Sequence, residues 1–163
     1  MKAISLWQPY ASLVACGLKR VETRSWPTKY RGPILIHAGK RWTPELEATA
    51  RHFRERFSWR TYVPSVGALP LGAVVAVARI TECHEMDRAW IEAQSPLERA
   101  AGVWLPGRFG WVLEDVRAPG APIPLKGRQG LFEVNADEIE ALSRASLVAA
   151  YEGAPALEGR VVT

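Results

Sequence analysis

Residues 2–26 read KAISLWQPYASLVACGLKRVETRSW, and the rhythm of this stretch decides the fold. Lys2–Trp7 alternates apolar and polar positions, which predicts a strand. Pro9 opens a short apolar helix, Pro9–Cys16, because proline is tolerated at the first helical position. Gly17 then ends that helix as its C-terminal cap. Arg20–Trp26 alternates again, with Arg20, Glu22 and Arg24 on one side and Val21 and Thr23 on the other. That pattern predicts a half-exposed strand with a charged face.

Outward from this unit, Arg31-Gly32-Pro33 is a turn and Ile34–His37 a short buried strand. Thr43-Pro44-Glu45 is a helix start, with a capping hydroxyl, a proline at the first position and an acid near the positive end of the dipole. The helix is expected to run to about Phe57. Tyr62–Pro70 reads as a loop, and Leu71–Cys83 as the strongest strand, apolar on both faces at its centre. Asp87 is expected to cap a helix through about Ala100. Phe109–Val116 and Gly130–Val134 read as strands separated by an irregular crossing at Pro119–Pro124. Asn135-Ala136-Asp137-Glu138 has the spacing of a capping box and opens a last helix to about Ala150. The tail from Tyr151 to Thr163 is expected to be loosely attached, leaving residues 1–150 as one domain. Strands and helices mix without the regular alternation of a doubly wound sheet. The expected fold is α+β, a small barrel-like β-sheet flanked by three or four helices.

The 163 residues make one ordinary domain, able to bury a core without metals or disulfides. With 48% hydrophobic and 23% charged residues, wholesale disorder and coiled coil are excluded. The longest apolar stretch, Leu71–Ala78, falls far short of the roughly 20 residues of a membrane span. The first residues lack the apolar core of a signal peptide. Cys16 and Cys83 stand alone without ligand spacing, which fits a reduced, cytoplasmic protein. No G-x-G-x-x-G or P-loop pattern occurs, so no nucleotide cofactor is expected.

Charge is unevenly spread. Residues 1–60 carry 12 Lys/Arg against 4 Asp/Glu, a balance of +8, whereas residues 61–163 carry 9 against 13, a balance of −4. A basic half favours a polyanion. Trp7, Trp26 and Trp42 lie inside it, and aromatic faces interleaved with cations suit single-stranded nucleic acid; core packing is the alternative for each. The helix start at Pro9 offers backbone N–H groups to an anion. A short helix and a returning strand of similar length bring Arg24 back near that start, with Lys19 left at the turn. Lys19 and Arg24 are then expected at opposite ends of one groove, or nearer each other where the curvature of a barrel draws them together. Glu22 is open to three roles: neutralising the arginines, orienting Arg24 for a ligand, or accepting a proton. His37, beside Lys40 and Arg41, is a cleft residue or a satisfied core histidine. His84 and His52 have no metal-ligand partners, so no metal is expected. Lys126-Gly127-Arg128-Gln129-Gly130 is a basic glycine turn.

Gly17, Lys19, Glu22 and Arg24 together fill a G-x-K-x-x-E-x-R pattern. With the Ile4–Leu13 block before it and Tyr30–Ala38 after it, the chain resembles the ASCH family, relatives of the PUA domains, over most of residues 1–135. The resemblance implies a PUA-like pseudobarrel whose cleft is lined by that motif and is associated with RNA or nucleic-acid binding. Some members of the family are ribonucleases, or hydrolases that deacetylate acetylated cytidine using a lysine, a threonine three residues on and a distant glutamate. Lys19 matches the lysine, Glu22 holds the threonine's position, and Glu82 is an available distant acid. The expected ligand contacts are Trp7, Gln8, Pro9, Lys19, Arg24, Trp26, Arg31, His37 and Lys40. The expected partner is RNA or single-stranded nucleic acid, or a modified nucleoside, and not a membrane. Two alternatives are a small hydrolase using Lys19, Glu22 and Glu82, and a protein-interaction domain whose acidic C-terminal half meets a partner.

Overall fold

A computed structural model of the chain describes residues 1–57, 65–138 and 140. The strand–helix–strand unit expected at the N-terminus is present as β1 (Lys2–Leu6), α1 (Tyr10–Ala15) and β2 (Val21–Arg24). Then come β3 (Gly32–Ala38), α2 (Pro44–Arg56), a 3-10 turn at Val66–Ala68, and β4 (Ala73–Glu85). The remaining elements are α3 (Arg88–Glu92), α4 (Pro96–Ala100), β5 (Phe109–Arg117), β6 (Ile123–Pro124) and β7 (Leu131–Glu133). The strands form one mixed sheet in the order β2-β5-β4-β3-β1-β7, with β6 on β4, curled into a half-barrel. Only β1 and β3 run parallel, as their connection through α1 and β2 permits; the other pairings are antiparallel.

Alternation explains the two cores on β1 and β3. Ile4, Leu6, Ile34 and Ile36 point inward to meet Ala11 and Val14 of α1, Ile80 of β4, and Trp111 and Leu113 of β5. Their neighbours Ala3 and Leu35 turn the other way, onto Val77, Leu125, Phe132 and Val134. A third cluster joins Leu13 of α1 to Ala50 and Phe53 of α2. Apolar burial on both faces is why β3 and the centre of β4 read as continuous hydrophobic runs.

Local capping follows the sequence closely. Gly17 has φ +71, the left-handed conformation that ends α1. Thr43 caps α2 through Leu46 N, and Asp87 caps α3 through Trp90 N. Asn135 and Glu138 exchange both capping-box bonds, at 2.8 and 2.9 Å; the expected continuation to Ala150 and the tail 151–163 lie outside the described residues, as does part of the Tyr62–Pro70 loop. Three expectations are corrected. Pro9 is the N-cap of α1 and not its first helical residue. The helix expected from Asp87 to Ala100 is two helices, because Pro96 disfavours helical conformation at Ser95, which instead caps α4 through Glu98 N at 3.1 Å. The strand Val21–Arg24 is not half-exposed, for Val21, Glu22 and Thr23 are buried and only Arg20 before it and Arg24 at its end reach solvent.

Candidate nucleic-acid interface

The half-barrel closes through side chains at one seam. β7 pairs only with Lys2, Ala3 and Ile4 of β1, so the strand is open on that side from Ser5 onward. Arg24, at the end of β2, reaches across and donates from Nη2 to the Ser5 carbonyl at 3.2 Å. The two ends of the sheet, joined in sequence by α1, are therefore fastened by the last residue of the G-x-K-x-x-E-x-R motif.

Beneath Arg24 the rest of the motif forms a buried charge cluster. Glu22 forms ion pairs with both cations, its Oε1 2.9 Å from Arg24 Nε and its Oε2 3.4 Å from Lys19 Nζ. Lys19 is 1% exposed and also donates to the carbonyls of Val21 and of Ala101, the latter at 2.8 Å. All three N–H directions of the ammonium thus have acceptors, which is what makes a buried lysine tolerable. Lys19 and Arg24 accordingly share one carboxylate and do not sit at opposite ends of a groove. The strand begins at Val21, one residue later than expected, and this leaves Lys19 in the turn with its stem folded back under β2.

Two further members of this cluster were not legible from the sequence. Glu98 of α4 is buried and accepts from the Arg20 N–H. Burial pushes its carboxyl up, against the pull of Lys19 and of the Arg20 and Val21 N–H groups. Ser95-Pro96-Leu97-Glu98 has capping-box spacing, a signal for the helix start. Nothing local, however, shows that the carboxylate leaves the box for the motif strand. Tyr10 is the other: its hydroxyl is held above its ordinary value by burial and then by the charge of Glu22. The segment after α4 reinforces the same strand, with Val103 N donating to Thr23 Oγ1 at 3.0 Å and Trp104 Nε1 to the Glu98 carbonyl at 2.7 Å.

The other expected site residues separate into a structural group and a surface group. Gln8 is fully buried; its amide nitrogen donates to Ser12 Oγ and the Pro70 carbonyl, and its oxygen accepts Ser12 N. With Ala11 N also bonded to the Trp7 carbonyl, N–H groups expected to await an anion are already used. Pro9 is buried beside Gln8. His37 is 2% exposed, with Nε2 3.0 Å from the Leu125 carbonyl and Nδ1 3.0 Å from Ser5 Oγ. A carbonyl only accepts, so Nε2 carries the proton, while Ser5 Oγ, which also meets the Arg128 carbonyl at 3.1 Å, stands beside Nδ1: the satisfied core histidine of the two readings. Trp26 packs edge-on against buried Trp111, centroids 4.7 Å apart. Glu82 lies away from Lys19, exposed at the end of β4 and paired with His84. Arg31 and Lys40 are exposed, and Trp7 is 48% exposed. Among the described residues no three His, Cys, Asp or Glu side chains are grouped to hold a metal, and no helix is long and apolar enough to cross a membrane.

Electrostatics give this face its character. Residues 1–44 contain eight Lys and Arg (2, 19, 20, 24, 29, 31, 40 and 41) and a single acid, Glu22. That acid is buried between two of the cations, so the segment shows the solvent Arg20, Lys29, Arg31, Lys40 and Arg41 with no acid of its own.

The sequence pattern of the ASCH domain matches residues 4–141 of the chain. Activating signal cointegrator 1 of Mus musculus is 52% identical over 56 residues, and that of Homo sapiens 48% identical over 56 residues. In each case the match covers 31% of this chain and 10% of the relative's length. Among solved structures, the ASCH protein of Zymomonas mobilis superposes with a TM-score of 0.54 at 17% identity, over 88% of this chain and 93% of that one. A tyrosine-to-phenylalanine variant of it gives 0.53 at 17% identity, over 88% and 96%. At such identity the likeness is one of fold.

Proposed function

The chain belongs to the ASCH domain family, and from that premise we propose that it binds RNA or single-stranded nucleic acid on the basic face of residues 1–44. The observation that carries this reading is the burial of Glu22. The one acid of the segment is paired with Lys19 and Arg24, and the exposed cations of residues 1–44 are left to a polyanion. Phosphates are assigned to the exposed Arg31, Lys40 and Arg41. The hydrolytic alternative needs Lys19 or Glu22 to present a lone pair to substrate. Lys19 has every N–H engaged and Glu22 holds two cations, so binding without bond cleavage is the reading the geometry favours.

The test is the fluorescence anisotropy of a labelled 12-nucleotide single strand titrated with the protein between 50 and 200 mM salt. Three phosphate contacts give a logarithmic slope near −2, or about a 20-fold loss of affinity across that range. Arg31→Glu and Lys40→Glu are expected to weaken binding without moving the melting temperature. An affinity that does not change with salt refutes the proposal.

A further inference from the structure

Trp7 and Arg41 make an arrangement that the charge argument does not require. Trp7 leaves the end of β1 and Lys40-Arg41 follow the end of β3; because these strands are parallel, both ends emerge side by side. The Arg41 guanidinium lies over the Trp7 ring, 4.5 Å from its centroid. One face of the indole is covered in this way, while 48% of the residue remains in solvent. Trp7 is the one aromatic side chain among the large hydrophobics exposed in the described residues.

The surroundings hold this pair in place. Gly39 N donates to the Leu6 carbonyl at 2.8 Å and Gly72 N to the Ala38 carbonyl at 2.7 Å, so the turn leading to Arg41 is fastened from both sides. Lys40 lies along Gly72, where a Cβ would stand 2.7 Å from its Cε. Among the described residues no protein acceptor takes a hydrogen bond from Arg41; Glu45 is the acid near enough to feel its charge. Stacking thus fixes the plane of a guanidinium whose five donors meet no acceptor among the described residues.

We propose that Trp7 and Arg41 form a nucleotide clip, in which an unpaired base stacks on the open face of the indole and the adjoining phosphate is received by the Arg41 fork, with Lys40 beside it. The proposal rests on the nucleic-acid reading above and narrows its ligand. A base inside a duplex is already stacked on both sides and has no free face to offer, so the clip takes single strands.

Three probes of equal length separate the possibilities: a 12-nucleotide single strand, its duplex, and an abasic strand carrying phosphates without bases. Removing one base–aromatic stack is expected to weaken single-strand binding about 5- to 150-fold in Trp7→Ala, with most of the affinity kept in Trp7→Phe and lost in Trp7→Leu. The abasic strand and the duplex are expected to bind Trp7→Ala as they bind the wild type. Arg41→Ala is expected to weaken the single strand and to flatten its salt slope by about 0.7. Single-strand affinity equal in wild type, Trp7→Ala and Trp7→Leu overturns the clip and leaves the basic-face reading standing. An equal loss on the abasic strand also overturns the clip, because it assigns the effect to phosphate. Failure of the wild type to bind any of the three overturns both readings. Should Trp7→Ala lower the melting temperature, the contrast between Trp7→Phe and Trp7→Leu decides: equal affinities in that pair count against the clip.

Discussion

Replacing Lys19 with methionine separates a buried strut from a reactive amine. Methionine keeps most of the apolar stem and removes only the ammonium. The loss leaves the Val21 and Ala101 carbonyls without their donor, and Glu22, 8% exposed, with Arg24 as its remaining cation. Breaking a buried ion pair from one side costs about 3–5 kcal/mol, much of it from the charge left behind. Each stranded buried carbonyl costs about 1–3 kcal/mol, though relaxation and water entry keep these from adding in full. A net loss of about 3–5 kcal/mol is expected. With an m-value of about 2 kcal/mol/M, the urea midpoint falls by roughly 1.5–2.5 M while m stays constant. Tryptophan fluorescence during urea unfolding measures it. The double variant Lys19→Met/Glu22→Gln is expected to recover about 1–2 kcal/mol, because a neutral amide no longer needs a second cation. A midpoint shift below about 0.5 M for Lys19→Met, or a double variant weaker than the sum of the singles, refutes the account of Lys19 as a structural charge.

Glu98 makes stability depend on pH in a particular sense. Its carboxyl is raised above the ordinary 4.5, chiefly by burial, so the folded state holds the proton more tightly than the unfolded chain. Stability from this group is full below 4.5 and is lost as pH climbs through the raised folded value, levelling beyond it. Glu98→Gln lacks that decline, and the difference in melting temperature is expected to move in its favour across the window; a constant difference speaks against it. Gln8→Ala removes three hydrogen bonds, two to Ser12 of α1 and one to the Pro70 carbonyl, and is expected to cost about 2–4 kcal/mol in chemical denaturation. A loss under about 1 kcal/mol would mean that water replaces the amide. Gly127→Ala places a methyl group into the His37 ring, which cannot yield because both its nitrogens are bonded. About 1–3 kcal/mol is expected from such overpacking, and a neutral result would mean that the 126–128 turn moves freely.

Much of this molecule was legible because its signals are local. The alternation in Lys2–Trp7, the stop at Gly17, and the caps at Thr43, Asp87 and Asn135 each involve residues within a turn or two of one another. The structure places all of them where the pattern did. The Asp87–Ala100 helix breaks at Ser95-Pro96, where the proline disfavours helical backbone at the residue before it. The curled α+β sheet followed from the order of strands, and the G-x-K-x-x-E-x-R motif from four residues within eight positions.

What tertiary structure alone decided is the meaning of that motif. Whether Lys19 faces solvent or the Ala101 carbonyl depends on a segment 82 residues away. That Glu98, and not Glu82, lies with it depends on α4 folding over the edge of β2. Likewise, Gln8 spends its amide on Pro70 and His37 its ring on Leu125, so both leave the surface that their neighbours in sequence occupy. Residue type and spacing determined which charges were available. Burial selected those that neutralise one another inside and those that remain for a partner, because a charge withdrawn from water must find its counter-charge within the fold.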